Sequence, residues 1–496
     1  MLFNSVGFFI FFPLVLLFYY VFPQNLRKFW LLAASYYFYM SWNVKYFVLI
    51  LFATVITYFG SIFLSDIHNS TLADGKKALY KKLVTGAVVT AALGVLFVFK
   101  YCNFFFAILS EMCGIFGLGS FSVTLNLLLP VGISFYTFQS VSYILDVYRG
   151  DIQAERRFVH YALFVSFFPQ LVAGPIERSG NLLPQLNDLK GFDYDNFTNG
   201  LKIMVFGFFQ KVVLADRLAV VVNTVYNDCA SYTGAPVLFA TVLFAIQIYC
   251  DFAGYSNIAL GAARCMNIHL MRNFNTPYFS VSIKDFWRNW HISLSTWFKD
   301  YLFIPLGGSR KGFWRTNVNL MIVFAISGLW HGAAFHFVAW GILHGLYQVI
   351  GNLTKPYRNK LYKLFHLSQE KWPVRLFKRV CTFALVSFAW VFFRANSFRE
   401  IGVLLKGLLN LSAYSATVCD LMTLGLSERE LIIACFALVI LCVCSLLQYK
   451  GYGLSAINRL ALPIRWSIYI GGLFVVLALG YYGPLAAPSQ FVYFQF

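Results

Sequence analysis

Long apolar runs recur along this chain, each near the roughly 20 residues that a helix needs to cross a bilayer. They lie at Phe3–Phe22, Tyr46–Leu64, Val84–Tyr101, Thr124–Leu145, Leu201–Val222 and Val237–Ala262, then at Phe377–Phe393, Leu431–Leu447 and Trp466–Tyr482. In lipid every backbone N–H and C=O must be paired within the protein, so runs of this length predict helices. A shorter run, Phe29–Met40, predicts a tilted or locally thinned span. Tyr161–Ala173 is too short to cross and ends at Gly174 and Pro175, which predicts a re-entrant segment. Only 12% of the residues are charged and 59% are hydrophobic, which excludes an ordinary soluble domain. No long polar stretch divides the chain, so residues 1–496 read as a single all-α polytopic membrane domain. The first run lacks a basic n-region and a small-residue cleavage site, and reads as a span rather than a removable signal.

A net charge of +19 would suggest nucleic acid in a soluble protein. Here the cations cluster in short loops, the pattern of cytosolic connections in a membrane protein. Anionic lipid headgroups and an anionic cytosolic substrate are therefore the expected partners, and nucleic acid is not. Arg27 and Lys28, then Lys76, Lys77, Lys81 and Lys82, then Arg149, Arg156 and Arg157 mark alternate connections and place the N-terminus outside. Lys299, Arg310, Lys311 and Arg315 mark another cytosolic loop, as do the basic residues from Lys355 to Arg379. Both ends of the apolar stretch Thr316–Gly351 are thus held at the cytosol. The stretch must enter the membrane and return, turning at Ser327-Gly328-Leu329-Trp330-His331-Gly332.

That hairpin carries His331 into the membrane, where an ionisable group is a functional candidate. A neutral imidazole can take a proton from a hydroxyl, the step that acyl transfer to an alcohol requires. The plainer alternative is a buried histidine donating to a carbonyl. His336 and His344 follow on the same stretch, spaced by eight and so roughly on one helix face. His344 reads as a supporting residue and His336 as structural. No i,i+4 histidine pair with a nearby carboxylate occurs there, so no metal is expected. The ten cysteines are scattered without a CxxC spacing, which signals neither zinc nor a redox pair.

Phe286 to Trp297 is dense in aromatics and flanked by Arg288 and Lys299. It reads either as an interfacial amphipathic helix or as a half-buried helix presenting His291 at the edge of the core. Asp251 is a lone carboxylate in an apolar span, which reads either as part of a proton path or, the favoured reading, as paired with an arginine such as Arg264. No nucleophile elbow, P-loop or dinucleotide fingerprint supports hydrolase or nucleotide chemistry.

The run from Phe286 to Trp297, followed by Tyr301-Leu302-Phe303-Ile304-Pro305-Leu306-Gly307-Gly308, resembles the signature of the membrane-bound O-acyltransferase (MBOAT) family. Gly328-Leu329-Trp330-His331-Gly332 is similar to the family's essential-histidine segment. Phe168 to Ile176, Trp390 to Ala395 and the terminal Tyr493-Phe494-Gln495-Phe496 resemble the bacterial alginate O-acetyltransferase branch. The likeness spans nearly the whole chain. It makes His331 the match to the essential histidine. His291, framed by Trp290 and Trp297, stands where many members have asparagine or aspartate and where this branch has histidine, which leaves open whether it polarises the acyl carbonyl or shares the base role.

The resemblance implies a fold of about 11 transmembrane helices, with re-entrant and interfacial helices around a central funnel. It implies His331 and His291 as catalytic residues, supported by Trp330, His344 and Trp290, and acetyl-CoA as acyl donor. The phosphates of that donor would suit a basic rim of Arg310, Lys311 and Arg315, which the positive-inside pattern also explains. The expected activity is acetyl transfer across a bacterial cytoplasmic membrane for O-acetylation of an exopolysaccharide or other cell-envelope glycan. An extracytoplasmic SGNH-type transferase or small carrier protein would receive the group. The rivals are D-alanyl transfer to teichoic acid from a carrier-protein thioester, a polysaccharide or solute transporter, and a scaffold. Against a transporter, matched broken helices and a ladder of intramembrane carboxylates are not evident.

Overall fold

The computed structural model describes residues 1–172, 174–415, 424–482 and 491–492. Ala173, Cys419 and the terminal Tyr493 to Phe496, on which the sequence reading also drew, lie outside the described residues. Among the described residues every regular element is helical, the outcome that membrane-length apolar runs require. Six helical stretches are long and apolar enough to cross a bilayer: Val44–Asn69, Asp74–Ile115, Ala235–Arg264, Trp372–Arg394, Glu428–Tyr449 and Leu462–Leu479. The protein is a polytopic all-α membrane protein.

The chain forms two compact units, Met1–Met204 with Ile258–Met271, and Val205–Asn257 with Arg272–Phe496. The first unit opens with α1 (Val6–Val21), α2 (Gln24–Met40), α3 (Phe47–Asn69), α4 (Asp74–Leu96) and α5 (Cys102–Ile115). Then come α6 (Ile133–Arg149), α7 (Phe158–Ser166), α8 (Phe168–Leu171), α9 (Ser179–Asn187) and most of α10 (Tyr194–Phe208). The short Tyr161–Ala173 run breaks at Phe167 between α7 and α8, as a segment too short to cross can do. Aromatic packing joins α1, α2 and α8, with Phe11 lying 5.3 Å from Phe168 and 5.7 Å from Phe38 between ring centroids. Buried hydroxyls pair across helices: Tyr161 donates to Thr57 at 2.6 Å and Tyr143 to Ser61 at 3.2 Å. Such pairs satisfy polar groups that lipid cannot.

The structure corrects one predicted span. Residues 124–130 of Thr124–Leu145 are not helical, and α6 starts only at Ile133. Pro130 lacks an N–H and disfavours a helical residue before it. Gly132 has φ 77°, and a Cβ there would meet Leu171 O at 2.6 Å. An apolar run alone does not separate an extended approach from a helix.

The second unit contains α11 (Asp216–Asn227), most of α12 (Ala235–Arg264), α13 (Ile283–Asn289), α14 (Ile292–Phe298), α15 (Phe313–His331) and α16 (Phe335–Leu364). It continues with α17 (Trp372–Arg394), α18 (Phe398–Leu409), α19 (Glu428–Tyr449), α20 (Leu454–Asn458) and α21 (Leu462–Leu479). Only 6% of the most apolar window of α21 is buried, so its Trp466, Ile470 and Phe474 form a lipid-facing surface. The hairpin expected from loop charge is present: α15 and α16 run back on each other through the turn 332–334. Glycine permits their contact. A Cβ on Gly328 would stand 2.3 Å from Phe337 O, and one on Gly341 2.2 Å from Phe324 O. Close backbone approach through small residues is how helices associate where no hydrophobic drive separates protein from lipid.

Candidate functional site

All the candidate histidines fall in the second unit. His331 is the last residue of α15 and is 4% exposed. Its imidazole is ringed edge-on by Trp330 at 4.9 Å, Trp340 at 5.0 Å and Phe393 at 5.4 Å between centroids. A Cβ at the following Gly332 would collide with the Phe337 ring at 2.2 Å, so glycine is what lets the chain turn immediately after the histidine.

His291 is fully buried. The stretch that reads as one half-buried or interfacial helix is two short helices, α13 and α14, broken at Trp290 and His291. The cause is local: His291 sits at φ 41°, ψ 56°, the left-handed region that a non-glycine residue adopts only at a cost. The surrounding bonds hold it there. Asn273 O accepts from Ile292 N at 2.9 Å, Asn273 Oδ1 accepts from Ser293 Oγ at 2.6 Å, and Asn273 Nδ2 donates to Ser256 Oγ at 3.1 Å. Strain maintained by a buried polar network is a feature of functional positions.

The Trp330 ring lies 6.0 Å from His291 and 4.9 Å from His331, so one indole neighbours both histidines. Phe252 packs perpendicular to His291 on another side, at 4.7 Å. His344, also fully buried, accepts from Trp287 Nε1 through Nδ1 at 3.2 Å. An acceptor Nδ1 in a neutral ring puts the proton on Nε2. Trp340 bridges these groups, 5.0 Å from both His331 and His344 and stacked at 5.7 Å on Trp390. Trp290 closes the cluster, 5.1 Å from Trp390.

The structure thus brings His331, His291, Trp330, Trp290 and His344 into one buried aromatic cluster. His336 instead bonds the Phe392 carbonyl at 3.0 Å through Nδ1, a structural contact. Arg310, Lys311 and Arg315 are exposed. Arg315 lies near the opposite end of α15 from His331, about 24 Å away along the axis at 1.5 Å per residue. Trp340 and Asn273 are absent from the sequence reading. Trp340 precedes His344 by four positions, the spacing of neighbours on a helix face, and that signal was available.

Asp251 is paired, but with a lysine rather than an arginine. Lys211 Nζ bridges Asp251 at 2.7 Å and Asp216 at 2.8 Å, all three buried. Arg264 donates to Asn196 instead. Lys211 lies in a π-helical segment, Phe209–Ala215, whose wider turn has no sequence signature here. Among the described residues no group of three or more His, Cys, Asp or Glu is placed to hold a metal ion.

Residues 152–394 match the model of the MBOAT, membrane-bound O-acyltransferase family, a span that includes every candidate site residue named in this subsection. A probable alginate O-acetylase of Pseudomonas putida is 40% identical over 398 residues, covering 79% of this chain and 77% of the relative. A peptidoglycan O-acetyltransferase of Helicobacter pylori is 35% identical over 447 residues, covering 84% of this chain and 81% of the relative. A teichoic acid D-alanyltransferase of Bacillus subtilis is 28% identical over 295 residues, covering 55% of this chain and 71% of the relative.

Proposed function

The chain belongs to the membrane-bound O-acyltransferase family and is an O-acyltransferase, and from that premise we propose that it transfers acetyl groups from cytosolic acetyl-CoA for O-acetylation of a cell-envelope glycan. The observation that carries the reading is the placement of His331 at the turn of a glycine-packed hairpin, in a buried aromatic cluster shared with His291. His331 acts as general base and takes the proton of the acceptor hydroxyl. The freed oxygen attacks the thioester carbonyl, the C–S bond breaks, and the proton passes to the CoA sulfur. His291, fixed by the Asn273 network, polarises the acyl carbonyl. Trp287 holds His344 in one tautomer beside Trp340, so the wall behind His331 keeps a single arrangement.

Two relatives named for alginate and peptidoglycan O-acetylation, both matched over most of their length, favour acetyl over D-alanyl transfer. The basic residues Arg310, Lys311 and Arg315 would meet donor phosphates at the cytosolic mouth. The first acceptor is an extracytoplasmic transferase of the SGNH type or a small carrier protein, which passes the group to the glycan. The protein would work in the cytoplasmic membrane of a bacterium. Donor competition tests the reading. Protein in nanodiscs with its acceptor is offered labelled acetyl-CoA or a D-alanyl carrier-protein thioester. Label from acetyl-CoA alone is expected; label from the D-alanyl thioester alone would replace the reading with the teichoic acid one.

A further inference from the structure

We propose that the segment at Phe491 and Val492 is a positioning element for His291, anchored to the buried Lys211–Asp216–Asp251 cluster; the assignment of a catalytic role to His291 rests on the function proposed above. The anchor begins in the π-helical segment Phe209–Ala215. A π turn widens the helix and releases a carbonyl from its usual partner. Val212 O accepts from Tyr481 N at 2.7 Å, so the chain leaving α21 is bonded onto that segment. Gly254 of α12 lies close against it: a Cβ there would stand 2.8 Å from Gly207 O and 3.0 Å from Lys211 N. This approach lets Lys211 reach Asp251, one turn earlier on α12.

Asp251 meets the ammonium through Oδ1 and keeps Oδ2 for another donor. Asp251 Oδ2 takes the Val492 N–H at 2.7 Å. A charged acceptor makes this a stronger backbone bond than a neutral one, and Val492 is buried around it. The neighbouring Phe491 is fully buried and packs on two residues of the same helix, Tyr255 at 4.4 Å and Phe252 at 5.8 Å between centroids. Phe252 in turn stands at 90° to the His291 ring, 4.7 Å away. Three contacts in series thus join the buried ion cluster to a histidine held in a strained backbone conformation. Phe491 meets the ring that packs on His291. Its effect passes through Phe252, which makes it a positioning residue.

The test uses the full chain in nanodiscs. Carbethoxylation of His291 by diethyl pyrocarbonate is read by peptide mass spectrometry, beside donor turnover, in wild type, Phe491→Leu and Phe491→Ala. Leucine keeps apolar volume against Phe252; alanine does not. The proposal expects His291 to be protected in wild type and in Phe491→Leu, and modified several-fold faster in Phe491→Ala. It expects kcat to fall about 10- to 100-fold in Phe491→Ala, the scale of an ångström of misplacement, with the donor KM within about twofold. Adding Phe491→Ala to Phe252→Ala should then change neither quantity further, because the two act in series. Unchanged His291 modification in a folded Phe491→Ala protein would overturn the proposal, as would fully additive effects in the double variant. If wild type transfers no acyl group from any donor, the functional reading fails, and the modification pattern still decides whether Phe491 positions His291.

Discussion

Trp287 donates its indole N–H to Nδ1 of His344 at 3.2 Å, and both side chains are buried beside Trp340. One tryptophan thereby selects the tautomer of a histidine two rings away from His331. Replacing Trp287 with phenylalanine keeps most of the apolar contact and removes that donor. A lost buried hydrogen bond costs about 1 kcal/mol. The expected result is a modest drop in melting temperature with a several-fold fall in kcat. An unchanged kcat would confine Trp287 and His344 to packing.

The hairpin that carries His331 depends on backbone contact at Gly328. A Cβ there meets Phe337 O at 2.3 Å, whereas one at Gly351 meets nothing within 4 Å. Gly328→Ala should therefore destabilise the protein by about 3 kcal/mol or more, as overpacking against backbone does. Gly351→Ala, on the partner helix α16 and away from that contact, should be neutral or slightly stabilising, since alanine is the better helix former. Thermal melts in detergent compare the two directly, and equal melting temperatures would contradict the packing described.

Asn273 carries the bonds that keep His291 in its left-handed conformation. Asn273→Ala leaves the backbone bond from Ile292 but deletes both side-chain bonds. The expected cost is about 2 kcal/mol in stability from two buried hydrogen bonds, and a larger relative loss in turnover than in donor affinity. Kinetics at saturating and limiting donor separate the two. A pure KM effect would count against an orienting role for this network.

Glu177 lies in the loop between α8 and α9 and is fully buried, accepting from Asn181 Nδ2 at 2.8 Å and Met271 N at 2.5 Å. Burial raises its carboxyl from the ordinary 4.5 to about 7, outweighing those bonds and the nearby Arg178. A folded-state value raised in this way gives stability that is present below the unfolded pKa and lost as pH rises through about 7. Glu177→Gln removes this dependence, and Asn181 can turn its amide to suit. Melting temperatures at pH 5 and pH 8 should show the variant gaining on wild type at the higher pH. A difference independent of pH would show that Glu177 is ionised throughout.

Much of this architecture is legible in the sequence because lipid leaves the backbone few choices. Apolar length locates the spans, and basic loops at both ends of Thr316–Gly351 force the hairpin and bring His331 to its turn. What escapes is whatever depends on one residue's backbone conformation or on distant partners. Local propensity alone does not mark His291 for φ 41°, because Asn273, in the segment before α13, supplies the compensating bonds. Residues 124–130 are as apolar as a helix, and only Pro130 and Gly132 betray the extended approach. Asp251 could be read as paired, but the partner depends on a π turn that brings Lys211 inward.

The most direct test of the account is CoA release from labelled acetyl-CoA by purified protein supplied with its acceptor, comparing wild type with a His331→Ala variant of equal melting temperature and donor affinity. The account predicts release and label transfer by wild type and loss of both in the variant, by about 100-fold or more for removal of a general base. Full turnover by His331→Ala would contradict it.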